Sequence, residues 1–340
     1  MFAVASVPTL HFDPRIELIV VATLIGLLGL PHGALDTIFA RQLYGIHTPI
    51  GWVRFAAVYI LIAASVVGLW LLQPTCFLLG FLLISTVHFS GDPAAGTPWP
   101  ARALYGGAVI VLPTLLHAPE VTRLFTFLVG TNAAALVTPW LGLLAWPWLI
   151  GLALLAVLRL PRDWWTALEM GAVAILAVLA PPLVSFVVFF CAMHSARHIL
   201  RTIDYSDRPS ISLILGAALL PMLGVLVASV VAWHFLGGTS LDARIIQLIF
   251  VGLAALTVPH MALVERVRLS GWVKGAAAIA IVPNLLITNL SAAEEKTAVG
   301  IAADFTSGST LDTSEAAGNM LSRPLHWKRL EPGRASRQVI

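Results

Sequence analysis

Charge is what this sequence has least of. Asp, Glu, Lys and Arg together make up 11% of its 340 residues, against about 25% in an ordinary soluble chain. So little charge cannot furnish a water-facing surface, which excludes a soluble globular protein of this length. Cysteine is nearly absent: Cys76 and Cys191 lie inside apolar runs and share no metal-ligand spacing, so both read as small buried hydrophobes. There is no long basic block, since the net charge of +3 comes from scattered arginines, and nucleic acid is excluded as a partner. The opening stretch, MFAVASVPTLHFDPR, has neither a basic n-region nor a separate short apolar core. Insertion is therefore expected to rely on the first long apolar run.

What is abundant is apolar sequence, 59% of all positions. It comes in runs at about 16–36, 52–73, 75–90, 101–117, 132–158, 164–180, 182–200, 211–236, 245–263 and 271–290, many near the 20 or so residues that cross a bilayer. Backbone polar groups cannot be left unpaired in lipid, so these runs are expected to be helices. The fold class is an all-α polytopic transmembrane bundle of about 8–10 spans, ten preferred. Trp52, Trp99, Trp146, Trp148, Trp164, Trp165 and Trp272 stand near run ends, where interfacial aromatic belts form. Three parts are expected: a short N-terminal segment (1–15), a transmembrane catalytic domain (16–290) and a polar, disordered C-terminal tail (291–340).

Lys and Arg orient the bundle. Loops after odd-numbered runs hold Arg41, Arg54, Arg102, Arg159, Arg162, Arg201, Arg208, Arg266, Arg268 and Lys274, whereas the opposite loops hold Arg123 and Arg244. By the positive-inside rule the first set faces the cytoplasm.

Histidine placement carries the chemistry. His32, His88, His194, His198 and His260 lie in or at the C-terminal ends of the first, third, seventh and ninth runs, which in the ten-span arrangement all emerge on one side. An ionisable residue within a membrane helix marks a functional site by default. In HSARH, His194 and His198 are four residues apart, on one face of a helix, where one metal ion can take both. HGALD and HFSGD repeat a second spacing, His32 to Asp36 and His88 to Asp92. A metal-bound imidazole usually donates its other N–H to a carboxylate or carbonyl. Each aspartate serves its own histidine if the helix continues through Gly33 or Gly91; otherwise it serves another histidine, or none. Imidazoles suit Zn, Cu, Fe and Ni, and four neutral ones with open positions suit a non-haem Fe(II).

The motifs LPHGALD (30–36), HFSGD (88–92), HSARH (194–198) and VPHMALVE (258–265) resemble those of the Brp/Blh family of membrane β-carotene 15,15′-dioxygenases, in order and spacing over about 16–290. The resemblance implies cleavage of the central double bond of β-carotene by O₂, giving two retinal. It implies Fe(II) held by His32, His88, His194 and His198, with His260 a fifth ligand or an active-site histidine beside Asp36 and Asp92. It also implies a link to a retinal-binding rhodopsin and a place in the cell membrane, with the metal end cytoplasmic. Phe89-Ser90 depart from the residues often found in the second motif, and the tail has no counterpart. Phe89, Phe189, Phe190, Met193, Trp233 and Met261 are candidates to line a tunnel for the polyene.

Three rivals remain at this level. A di-iron hydroxylase or desaturase resembles this chain in its helical histidine pairs, but there is one His-x-x-x-His and no adjacent pair of histidines. A haem-binding or transport protein would use intramembrane histidines without catalysis, although these cluster toward one face. An assembly factor for a retinal protein would need no carotenoid cleavage.

Overall fold

The computed structural model describes residues 14–94, 96–205 and 210–267. The run expected at 271–290, with Trp272, and the tail from 291 lie outside the described residues, as does most of the N-terminal segment. Among the described residues all regular structure is helical. Six helical stretches are long and apolar enough to cross a membrane: Arg15–Arg41, Pro49–Leu72, Thr131–Arg159, Pro182–Ile203, Ile211–Phe235 and Leu241–Val264. A seventh appears if α6 (Trp99–Val111) and α7 (Thr114–Val129), bent by 61°, count as one. Pro113 lies at that bend, as sharp kinks usually require. Two further helices, α5 (Pro74–Phe89) and α9 (Trp164–Leu179), have 16 residues each. At 1.5 Å per residue they reach about 24 Å, short of a hydrocarbon core of about 30 Å.

The first and seventh runs are not plain helices. After α1 (Pro14–Leu24) comes a π-helical stretch, Ile25–Gly29, then α2 (Pro31–Ala34) and α3 (Asp36–Tyr44). Pro31 has no N–H to donate, and the wide turn closes just before it, with Leu30 N–H donating to the Ile25 carbonyl at 2.8 Å. The seventh run passes from α10 (Pro182–Val187) through eight π-helical residues, Val188–Ser195, into α11 (Ala196–Tyr205). Such stretches are rare and concentrate at functional sites. The two pack against each other, so close at Gly29 that a Cβ there would collide with the Phe190 ring.

The main core is built from α5, α6, α8 (Thr131–Arg159), α9 and the second π stretch, with Phe89, Tyr105, Leu112, Leu152, Val173 and Phe189 inside it. Gly106 lets α6 lie on the end of α5, where a Cβ would meet the Thr86 carbonyl and Ser90. α4 (Pro49–Leu72) packs on α13 (Leu241–Val267). α12 (Ile211–Phe235) has no buried residue, as fits a helix apolar all round and facing lipid. Cys191 is half-buried, but Cys76 is exposed on α5 and not the buried hydrophobe expected, because an outer face in lipid tolerates a small apolar side chain.

Candidate metal centre

The fold brings five imidazoles from four parts of the chain into one cluster. His32 comes from α2, His88 from the end of α5, His194 from the second π stretch, His198 from α11 and His260 from α13. Ring centroids lie 4.5 Å apart for His88–His194, 4.8 Å for His198–His260 and 5.2 Å for His32–His194. His32, His194, His198 and His260 are buried, and His88 is less covered. One ligand nitrogen from each of His32, His88 and His260 can be chosen so that all three lie within 4.8 Å of one another. The His194–His198 pair does not sit on one regular α-helix. It straddles the π–α junction, with ring centroids 6.4 Å apart and planes at 24°.

Hydrogen bonding fixes which nitrogen is free on three of the rings. His194 Nδ1 faces both carboxylate oxygens of Asp92, at 3.0 and 3.1 Å. His260 Nδ1 faces Asp36 Oδ1 at 2.6 Å. His32 Nδ1 faces the Gly29 carbonyl and, at 3.1 Å, Ser195 Oγ. A neutral imidazole that donates from Nδ1 keeps its lone pair on Nε2. The Nε2 atoms of His194, His198 and His260 are buried and have no hydrogen-bond partner. Buried polar atoms are seldom left so, and a cation is the partner an orphaned lone pair fits.

Both aspartates serve a histidine from another part of the chain. The first helix breaks at Leu35 (φ −77°, ψ −1°), so Asp36 does not continue the turn that holds His32. It begins α3 and reaches His260. α5 ends at Phe89, which leaves Asp92 in a turn where it reaches His194. Of the arrangements the spacing allowed, the crossed one forms.

Apolar and aromatic groups surround the rings. Phe89 packs 4.9 Å from His194, Phe190 lies 5.4 Å from His32 and stacks at 5.8 Å on His194, and Phe39 stands 5.8 Å from His198. Phe189 is in the core behind Phe89. Met193 is half-buried against that core, and Met261 is buried beside His260. Trp233 is not brought to this cluster. It lies 4.2 Å under the Arg244 guanidinium at the start of α13, and His260 is about 24 Å further along that helix at 1.5 Å per residue. The polar Arg244 end, where Arg244 also donates to the Trp233 carbonyl, holds the indole there.

Several contributing residues escaped the sequence reading. Tyr59 donates to Asp36 Oδ2 at 2.9 Å. Arg201 donates to the Gly91 and Asp92 carbonyls, at 2.9 and 2.7 Å, and Arg197 to the Asp92 carbonyl at 3.1 Å. Arg197 also pairs with Glu169 at 2.6 Å, and Glu169 accepts from Tyr105 at 2.6 Å. Arg102, counted with Arg201 as a loop charge, is buried and donates to the carbonyls of Ser90, Ala94 and Thr97. Glu169 could have been found, since it is the one charged residue in α9 and a lone intramembrane acid needs a partner.

The family model described as beta-carotene 15,15'-dioxygenase matches residues 23–267, a stretch that holds all five histidines and both aspartates. The chain belongs to the beta-carotene 15,15'-dioxygenase family. A curated beta-carotene 15,15'-dioxygenase from Uncultured marine bacterium 66A03 is 34% identical over 263 residues, covering 71% of this chain and 90% of that one. No solved structure matches. Membership in this dioxygenase family sets aside the readings without catalysis. Among the described residues, one group of three such ligands closes, His32, His88 and His260.

Proposed function

We propose that this chain cleaves β-carotene at its central 15,15′ double bond with O₂ and releases two molecules of retinal, at an Fe(II) centre held by the buried histidines. The observation that carries this reading is the convergence of five imidazoles with three orphaned Nε2 atoms in a chain of this family.

The donor set fits a divalent cation. Two buried carboxylates, Asp36 and Asp92, face the Nδ1 atoms of His260 and His194 and lend negative charge to the side of the cluster away from the free nitrogens. A buried charge left unbalanced would cost several kcal/mol. His32, His88 and His260 are the core of the ligand set, and His194 and His198 complete it. When bound, Fe(II) supplies the redox chemistry by which O₂ reacts with a closed-shell hydrocarbon. The histidines hold it; Asp36, Asp92, the Gly29 carbonyl and Ser195 hold the histidines in the Nδ1–H tautomer. The overall reaction moves no net proton, so neither aspartate is needed as an acid or base. Phe89, Phe190 and Phe39 exclude water and offer flat apolar contact to a polyene, and holding the 15,15′ bond beside the metal is their share of catalysis.

The substrate's chemistry agrees with the setting, because a hydrocarbon of this kind dissolves in the bilayer that the apolar helices cross. We place the enzyme in the cell membrane with the metal end cytoplasmic, on the loop cations that remain once Arg102 and Arg201 are set aside, among them Arg41, Arg54, Arg159 and Arg162. A retinal-binding rhodopsin is the consumer we propose for the product. Expression in a bacterium that accumulates β-carotene tests the reading. Loss of orange colour with retinal appearing in the extract is expected; unchanged carotenoid beside inserted, iron-loaded protein would overturn it.

A further inference from the structure

Asp92 poses a mechanical problem. Its carboxylate holds His194 Nδ1 at 3.0 Å, yet it stands in a turn beyond the end of α5. Gly91 N–H donates to the His88 carbonyl at 3.1 Å and Asp92 N–H to the Phe89 carbonyl at 3.0 Å, which ties the turn's donors to the helix end and leaves the Gly91 and Asp92 carbonyls to be taken by other groups.

We infer that Arg201, assisted by Arg197, is a positioning residue for His194. It grips the Gly91–Asp92 turn by its backbone, so that the Asp92 carboxylate stays on the imidazole. The two terminal nitrogens of Arg201 take consecutive carbonyls, Gly91 at 2.9 Å and Asp92 at 2.7 Å. Arg197 adds a second donor to the Asp92 carbonyl at 3.1 Å, and is itself held by Glu169 and, through it, Tyr105. On the far side Arg102 takes the Ser90, Ala94 and Thr97 carbonyls. The turn is therefore clasped from α11 and from α6 at once.

The spacing explains why the grip and the histidines move together. Arg197 and Arg201 stand four residues apart on α11, on one side of it, and His194 and His198 lie within the same eight residues, HSARHILR, across the π–α junction. One continuous element thus presents two imidazoles and the guanidinium groups that hold the partner of the first. The planar guanidinium presents two nitrogens to the two carbonyls in one rigid geometry, which the rotatable donors of an ammonium on a flexible stem do not reproduce. The consequence for metal retention rests on the reading of the cluster as a metal site. The effect on the His194 tautomer does not.

The test uses the full chain in detergent, labelled with ¹⁵N-histidine and free of metal. In the wild type, one signal of an Nδ1-protonated imidazole is expected to vanish in His194→Gln, which assigns it. In Arg201→Ala that signal should give way to a mixture of tautomers, and the dissociation constant for added Co(II) should rise about tenfold or more, as loss of an outer partner does. Methylguanidinium added to Arg201→Ala should restore the signal, and urea should not. Arg201→Lys, which keeps the charge, guards against an unfolded alanine variant and should also show mixed tautomers. A wild-type His194 signal in whichever variant folds would overturn the assignment. A shifted signal with no cleavage of β-carotene by the wild type would leave the clasp standing and sink the proposed reaction instead.

Discussion

Asp36 opens a helix and Asp92 sits in a turn, yet each ends on the Nδ1 of a buried histidine from another part of the chain. Asp36 is fixed by α3 and braced on its second oxygen by the Tyr59 hydroxyl at 2.9 Å. Asp92 spends both oxygens on His194 and leaves its restraint to arginines acting on its backbone. Both carboxylates have a second support, and its kind follows local structure. A helix-borne aspartate takes a side-chain brace. A turn-borne one takes a main-chain clasp.

The largest effects should come from the rings. His194→Ala and His260→Ala are each expected to lower retinal formation by at least about two orders of magnitude, beyond the 10–100-fold typical of an outer partner. Iron per purified chain should fall with it. Unequal losses would show that one arm matters more to the metal.

Next come the carboxylates. Asp36→Asn and Asp92→Asn should each weaken iron retention by about 10–100-fold, because an amide can present its NH₂ to Nδ1 and favour the wrong tautomer. The clasp holds the Asp92 backbone and not its side chain, so Asp92→Asn should melt near the wild-type temperature. A large drop there would break the comparison.

Tyr59→Phe removes a single hydroxyl from the helix-borne arm. With one hydrogen bond worth about 1 kcal/mol, iron affinity should fall about fivefold, read by competition with a chelator. An effect as large as that of Asp36→Asn would give the tyrosine a larger role than bracing.

The smallest effect is expected at the N-terminal cap of α9. Asp163 caps α9 by accepting from Thr166 N–H at 3.2 Å, and hydrogen bonding to the Thr166 side chain first, and to its backbone second, holds its carboxyl below the usual carboxylate range. A lowered folded pKa favours the folded state above the unfolded pKa, an advantage lost as pH falls through the folded value. Asp163→Ala should therefore melt slightly lower at neutral pH, show no difference in strong acid and leave cleavage unchanged.

Much of this was legible in the sequence because lipid simplifies the rules. Apolar runs had to be helices, and nine of the ten expected runs are helical, the tenth lying outside the described residues. Histidines at run ends had to find partners, and His32, His194 and His260 did, each through Nδ1. What stayed hidden depends on the third dimension. Two π-helical stretches replace regular turns in the first and seventh runs, and hydropathy does not register a widened turn. The pairing of Asp36 with His260 spans 224 positions, beyond any local spacing. Arg201 read as a topology charge because a loop arginine and a clasping one look alike until the turn it holds is in place. Trp233 read as a tunnel residue because apolarity near a polar neighbour says nothing of which end of the bundle it occupies.

The central claim is that the histidine cluster holds one iron on which cleavage depends. It is tested most directly by titrating Fe(II) into the metal-free protein under O₂ with β-carotene present, and following retinal. Retinal formation is expected to rise linearly with iron and to stop rising at about one iron per chain, as a single cluster requires. Full cleavage without metal, or a break only at two irons per chain, would contradict it.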